Sequence, residues 1–245
     1  MKTALFAIVV FIWSCAGADP QKPYGNPPAE GFNVEGSDAK AIAIADEVME
    51  KMGGRQAWDA VEMIEWNFFG SRKHVWNKTA NAVKINALRD SMIIDLDMND
   101  MTGDVAYYEG KVTKLDTTQA LARAEGWWIN DSYWLVMPFK LKDSGVTLKY
   151  VGRDSTANGL IGDKLSLTFD GVGRTPQNKY EVIVTDEKRL VEEWRFYTNA
   201  TDSIPRFTTP WQDYKQYGDI LLSGDRGQYQ LTDIKVGMKS SDQSE

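Results

Sequence analysis

Between positions 39 and 52 apolar side chains return at every third or fourth residue. Ile44, Val48 and Met52 form one row, with Ala41, Ala45 and Met49 beside it. That spacing predicts an amphipathic helix over AKAIAIADEVMEKM. Ser37 or Asp38 supplies the N-terminal cap, and Gly53-Gly54 the stop. Trp58 then marks a packed helix-to-strand turn. After Ala60 the period shortens to two. Ile64, Trp66 and Phe68 alternate with Glu65 and Asn67. Met92, Ile94, Leu96 and Met98 alternate with Ile93, Asp95 and Asp97. Leu165, Leu167 and Phe169 alternate with Ser166 and Thr168, while Leu190, Trp194 and Phe196 share a face interrupted by Glu192. Alternation turns successive side chains to opposite faces, so these segments predict half-buried antiparallel strands. Further strands are expected near 146–152, 179–185, 217–223 and 228–238. Turns are expected at Thr102-Gly103-Asp104, Glu109-Gly110-Lys111 and Asp170-Gly171. No internal repeat is evident.

One segment breaks the strand rhythm. Residues 116–134, DTTQALARAEGWWINDSYW, predict an interrupted helix capped by Asp116, Thr117 or Thr118, with Pro138 at its far limit. A curved sheet cannot bury its inner face alone. This insert and the first helix are the candidates to cover it.

The chain begins differently. Met-Lys precedes an apolar run of ten residues, Ala4–Trp13, and then Ser14, Cys15, Ala16, Gly17 and Ala18. An early positive charge, a short apolar core and small residues form the pattern of a secretory signal. A spanning helix needs about 20 apolar residues. Two cleavages compete. Ile12-Trp13-Ser14-Cys15 resembles a lipobox and would make Cys15 the lipidated first residue, although Trp13 is bulky for one. Ala16-Gly17-Ala18 suits ordinary cleavage and secretion. Cys15 is the single cysteine, so no disulfide forms within the chain, and its position at the end of the apolar run favours the lipid anchor. Four of the eight prolines fall in residues 19–36, a composition that suits a tether. The expected layout is a signal over 1–14, a tether over 15–36, one domain over 37–239 and a tail over 240–245.

Composition narrows the functions. Twenty-eight basic residues face 35 acidic ones, a formal net charge of −7. Loss of residues 1–14 removes Lys2 and leaves −8. With no basic cluster, nucleic acid is not an expected partner. Nine Trp and ten Tyr are rich for this length, and such rings favour cores, interfaces and apolar binding sites. His74 is the only histidine. It is expected on an exposed strand or turn, and no G-x-S-x-G accompanies it. A zinc site needs three or four N or S ligands, which one His and one Cys do not supply. Asp95, Asp97, Asn99, Asp100 and Asp104 approach a calcium loop, but Asp100 stands where Gly is needed and Ala106 where the closing Glu belongs. Glu192 and Glu193 are strand neighbours and point apart, which defeats a glycosidase pair. No catalytic residue, metal or cofactor is expected.

Gly53-Gly54-x-x-Ala57-Trp58, Met137-Pro138-Phe139-x-Leu141-x-Asp143-x-Gly145 and Phe169-Asp170-x-Val172-Gly173, with the late Trp211-x-Asp213-Tyr214, resemble a group of uncharacterised lipoproteins common in Bacteroidetes. That group is similar in architecture to the LolA/LolB-like lipoprotein carriers, and the resemblance spans roughly residues 40–236. It implies an α+β fold: a strongly curved, half-open antiparallel barrel with helices covering the concave face and an apolar cavity beneath. It also implies a non-enzymatic, membrane-tethered binder of an acyl chain or other amphipathic ligand in the bacterial envelope. Ile64, Trp66, Phe68, Ile94 and Leu96 would line the sheet side. Trp127, Trp128, Trp134, Met137 and Phe139 would form the lid. An envelope module with a self-filled core is the first alternative, and an envelope hydrolase acting through carboxylates such as Asp95 or Asp97 ranks behind it.

Overall fold

The computed structural model describes residues 25–108 and 115–239. The signal segment, Cys15, the expected turn at Glu109-Gly110-Lys111 and the expected tail lie outside them. The class is α+β, with two antiparallel sheets and few helices. Among the described residues, no helix is long and apolar enough to cross a membrane.

α1 (Ala39–Lys51) buries Ala41, Ile44, Ala45, Val48 and Met49, the face that the spacing predicts. Asp38 takes the expected N-cap position, but its side chain makes no bond to the helix's own N–H groups. Asp38 accepts from Tyr150 N at 2.9 Å and Lys149 Nζ at 3.0 Å. Ser37 Oγ accepts from Leu148 N at 2.9 Å. Both side chains therefore hold the helix to the strand carrying residues 148–150. The segment before α1, which composition assigns to a tether, lies against the domain from Asn26 onward. Asn26 donates to Asp46 at 2.7 Å, Ala29 N to Lys142 O at 3.0 Å, and Asn33 N to Val146 O at 3.0 Å. Phe32 is buried.

α2 (Gly54–Asp59) follows at once, and Trp58 stacks on Phe139 with ring centroids 4.3 Å apart. Gly53 makes the junction possible. Its φ is +113°, and a Cβ there would lie 2.1 Å from Asp219 O. Gly53→Ala is expected to cost about 1–3 kcal/mol through that clash and the left-handed φ. A urea midpoint lower than the parent's, at unchanged slope, would show it; an unchanged midpoint would contradict it.

The larger sheet is a meander, β1 (Val61–Phe68), β2 (Arg72–Asn77), β3 (Ala82–Ala87), β4 (Met92–Asp97) and β5 (Thr102–Tyr107). From β2 onward six-residue strands start every ten residues, a repeat that sequence inspection did not detect. Each of Asn81, Ser91 and Met101 has positive φ just before a strand. The turns use these residues in place of Asn-Gly. Consequently Thr102-Gly103-Asp104, expected as a turn, opens β5 instead.

α3 (Thr117–Val136) is one continuous helix and not an interrupted one; Asp116 accepts from Gln119 N at 2.9 Å as its cap. A 3-10 turn (Met137–Lys140) holds Pro138 in its first turn. The smaller sheet has β6 (Val146–Ser155), β7 (Ile161–Phe169), β8 (Lys179–Thr185), β9 (Val191–Tyr197) and β10 (Phe207–Pro210), in the order 10-9-8-7-6. β11 (Gln212–Tyr217), β12 (Ile220–Arg226) and β13 (Tyr229–Met238) return to the larger sheet, in the order 11-12-13-1-2-3-4-5. The chain changes sheet at Trp211, whose N–H still donates to Glu192 O at 3.0 Å. A strand that bends from one sheet into another makes such a corner.

α3 packs between the sheets. Trp134 meets Phe69 at 5.3 Å on one side and Trp194 and Phe207 at 4.6 and 5.6 Å on the other. Its insertion as a covering element is what the apolar inner faces require.

Candidate functional site

Two sites stand out along α3, one charged and one apolar. The charged one begins with alternation on β2. His74 and Trp76 point inward while Lys73 and Val75 point outward, so His74 is buried at 1% exposure. This corrects the expected exposed position: in Arg72-Lys73-His74-Val75-Trp76-Asn77 the inward phase is set by Trp76. His74 stacks flat on Trp66, its cross-strand partner, at 4.4 Å and 7°. Asp131 comes down from α3 with no exposure. Its Oδ2 accepts from His74 Nε2 at 2.8 Å and Arg72 Nε at 2.6 Å; its Oδ1 accepts from Arg72 Nη2 at 2.9 Å. A carboxylate only accepts, so the His74 proton sits on Nε2. Nδ1 is buried without a partner.

Burial pulls the His74 pKa below its usual 6.5, and the Asp131 bond only partly opposes it. Burial pushes Asp131 upward, but the bonds from His74 and Arg72 outweigh it and leave its pKa below 3.8. An aspartate–histidine pair is a familiar acid–base device. Here the His74 side chain is fully covered and Arg72 occupies the carboxylate's other face. The geometry is that of an anchor between helix and sheet.

The apolar site is a cleft of about 490 Å³ between α3 and the smaller sheet. Trp128, Ile129 and Tyr133 wall it from the helix, Phe169, Tyr180 and Trp194 from β7, β8 and β9, and Val172 from the β7–β8 loop. Tyr133 lies 5.4 Å from Tyr180 and 6.3 Å from Trp194. The loop is latched to the helix by Arg174, whose Nη2 donates to Ala122 O at 2.5 Å and Glu125 Oε2 at 2.6 Å. Gly126 allows that approach, since a Cβ there would lie 2.6 Å from Arg174 Nη1. Lys140, ion-paired with Asp143, and Arg174 are a third to a half exposed and mark the open end.

Of the residues expected to line a cavity, Trp128 and Trp134 wall this cleft. Ile64, Trp66, Phe68, Ile94 and Leu96 are buried on the larger sheet, away from its walls. Met137 and Phe139 are buried beneath the end of α3, and Trp127 lies beside Arg72 at 5.2 Å. Tyr133, Phe169, Tyr180 and Trp194 were not expected there. Phe169 and Trp194 carried the strand signal, but nothing in the sequence pairs them with α3.

The remaining candidates take ordinary places. Asp95 pairs with Lys84 at 3.1 Å, Asp97 accepts from Asn99 N in the turn, and Asp100 from Thr102 N at the start of β5. Glu192 binds Thr185 and Glu193 binds Ala157 N, so the two carboxylates have separate partners. Arg226, unforeseen, is buried at 1% exposure. It donates to Trp134 O at 2.7 Å and lies 3.5 Å over Trp211, tying β12 to α3.

No family model matches the chain, and no curated protein matches it either. Among solved structures, the crystal structure of a DUF1329 family protein from Desulfovibrio piger ATCC 29098 at 1.75 Å resolution is similar over 82% of this chain and 95% of that one. The two share 10% identity, with a TM-score of 0.41.

Proposed function

We propose that the protein is a non-enzymatic, membrane-tethered envelope lipoprotein that shelters an acyl chain or similar amphipathic ligand. The observation carrying this reading is the aromatic-walled cleft of about 490 Å³. Small-molecule sites commonly occupy about 300–1,000 Å³ and are mostly apolar with a few polar groups. In this reading the two sheets, joined at Trp211, act as one half-open curved wall, and α3 is the plug. Cys15 carries the anchoring lipid, and the ligand is a lipid or a lipoprotein's acyl chain in transit. The driving force is burial: at about 0.8 kcal/mol per CH₂, a chain of about a dozen carbons gains on the order of 10 kcal/mol before ordering costs.

Val172→Trp tests the site. The loop position is half-buried at the cleft wall, so the larger ring is expected to fill the space without disturbing a strand. Binding of a fluorescent acyl probe should weaken at least tenfold while the melting temperature stays near the parent's. Native mass spectrometry of the parent should show co-purifying lipid. Neither lipid nor probe binding in the parent would sink the reading in favour of a self-filled envelope module.

A further inference from the structure

The cleft is not simply greasy. Trp128 Nε1, Tyr133 Oη and Trp194 Nε1 are buried polar atoms without a hydrogen-bond partner, and all three residues belong to its walls. A buried donor left unpaired is costly, because it gives up its bonds to water and gains none in return. Trp66, Trp76 and Trp211 also have unpaired indole nitrogens, but those rings are not among the cleft walls. Of the described residues with such atoms, Trp128, Tyr133 and Trp194 border the open space of the cleft. Burial, with Tyr180 and the Asp143 carboxylate nearby, raises the Tyr133 pKa well above 10, so its hydroxyl keeps its proton.

We propose that the ligand presents a carbonyl or carboxyl oxygen to Trp128, Tyr133 and Trp194, so the cleft selects oxygenated acyl compounds over plain hydrocarbon. This rests on the acyl-binding reading above. A carbonyl gives these donors an acceptor, while a plain hydrocarbon leaves them unpaired. Lys140 at the open end is already ion-paired with Asp143, so a full negative charge on the ligand is not required.

The test is displacement of N-phenyl-1-naphthylamine by dodecanoic acid, methyl dodecanoate and dodecane, in the parent and in Tyr133→Phe and Trp128→Phe. The acid and the ester should displace the probe at concentrations at least tenfold lower than dodecane. Each variant should shrink that margin several-fold. Tyr133→Phe should also melt no lower than the parent, because it deletes a hydroxyl with no partner in the empty protein. Dodecane displacing as well as the ester would overturn the selection while leaving acyl binding intact. Failure of all three compounds would overturn acyl binding itself. An acid much tighter than the ester would assign the recognised group as a carboxylate; equal values would assign it as a neutral carbonyl.

Discussion

Asp131→Ala is expected to remove about 3–5 kcal/mol of stability, the usual cost of deleting one partner of a buried charge pair. The expectation follows from what the carboxylate holds. It has no exposure, and it accepts two bonds from Arg72 and one from His74. Without it, Arg72 keeps a side chain only 18% exposed, with no carboxylate opposite. Its remaining company is aromatic, Phe68 at 5.0 Å and Trp127 at 5.2 Å. His74, already lacking a partner at Nδ1, would lose the one at Nε2. Urea unfolding followed by tryptophan fluorescence should show a large fall in midpoint. A loss below about 1 kcal/mol would mean that α3 is held by packing alone and that the ion triad is incidental.

The same triad gives the protein a pH profile. The folded pKa of His74 lies below 6.5 because burial disfavours its cation. Its contribution to stability is therefore complete above about pH 6.5, where both states are neutral. It declines as pH falls toward the folded pKa, because only the unfolded chain takes the proton. The expected slope in that window is roughly 1.4 kcal/mol per pH unit. Asp131 acts lower on the scale. Its folded pKa is below 3.8, so its contribution is present above that value and is lost as pH falls through the folded one. His74 is the chain's only histidine, so His74→Gln should flatten the upper window and leave the lower one. Persistence of the slope in that variant would refute the assignment.

The strand phases were legible because a half-buried strand shows its burial in its own alternation. Ile64, Trp66 and Phe68 are buried as a set, as are Met92, Ile94 and Leu96. His74 was misplaced because its polarity was weighed above its phase, although it shares a face with Trp76. Asp131 gave a comparable signal. It stands seven residues after Ala124 and four before Leu135, on a stripe that is otherwise apolar and buried. The ten-residue hairpin repeat stayed hidden because its left-handed positions are Asn81, Ser91 and Met101, with no glycine among them. β10 and β11 were missed for another reason. The first has four residues and ends in Pro210, a residue that ordinarily argues against a strand interior. The cleft required tertiary knowledge. α3 carries aromatic residues on more than one side, and sequence could not say which side meets which sheet. The predicted sheet-side lining was therefore drawn from the larger sheet, whereas the cleft lies on the smaller one.

Trp194→Ala is the second large loss expected, again about 3–5 kcal/mol. Trp194 is 3% exposed and stands at the centre of the aromatic cluster. Its ring lies 4.6 Å from Trp134, 5.2 Å from Tyr180, 5.5 Å from Phe207 and 6.0 Å from Trp211. Deleting it therefore removes both the burial of a large side chain and edge-on contacts worth about 0.5–1.5 kcal/mol each. The void would open beside the cleft, where water can enter, and away from any element free to collapse into it. Arg226, held over Trp211, and the corner where β10 passes into β11 would lose the packing behind them. Trp128→Ala makes the control. That residue also walls the cleft but is only partly buried, so its truncation is expected to cost clearly less. Unfolding midpoints that rank Trp194→Ala well below Trp128→Ala would identify the ring as the link between the two sheets. Equal losses would mean that stability is spread evenly around the cleft, and that Trp194 is one lining residue among several.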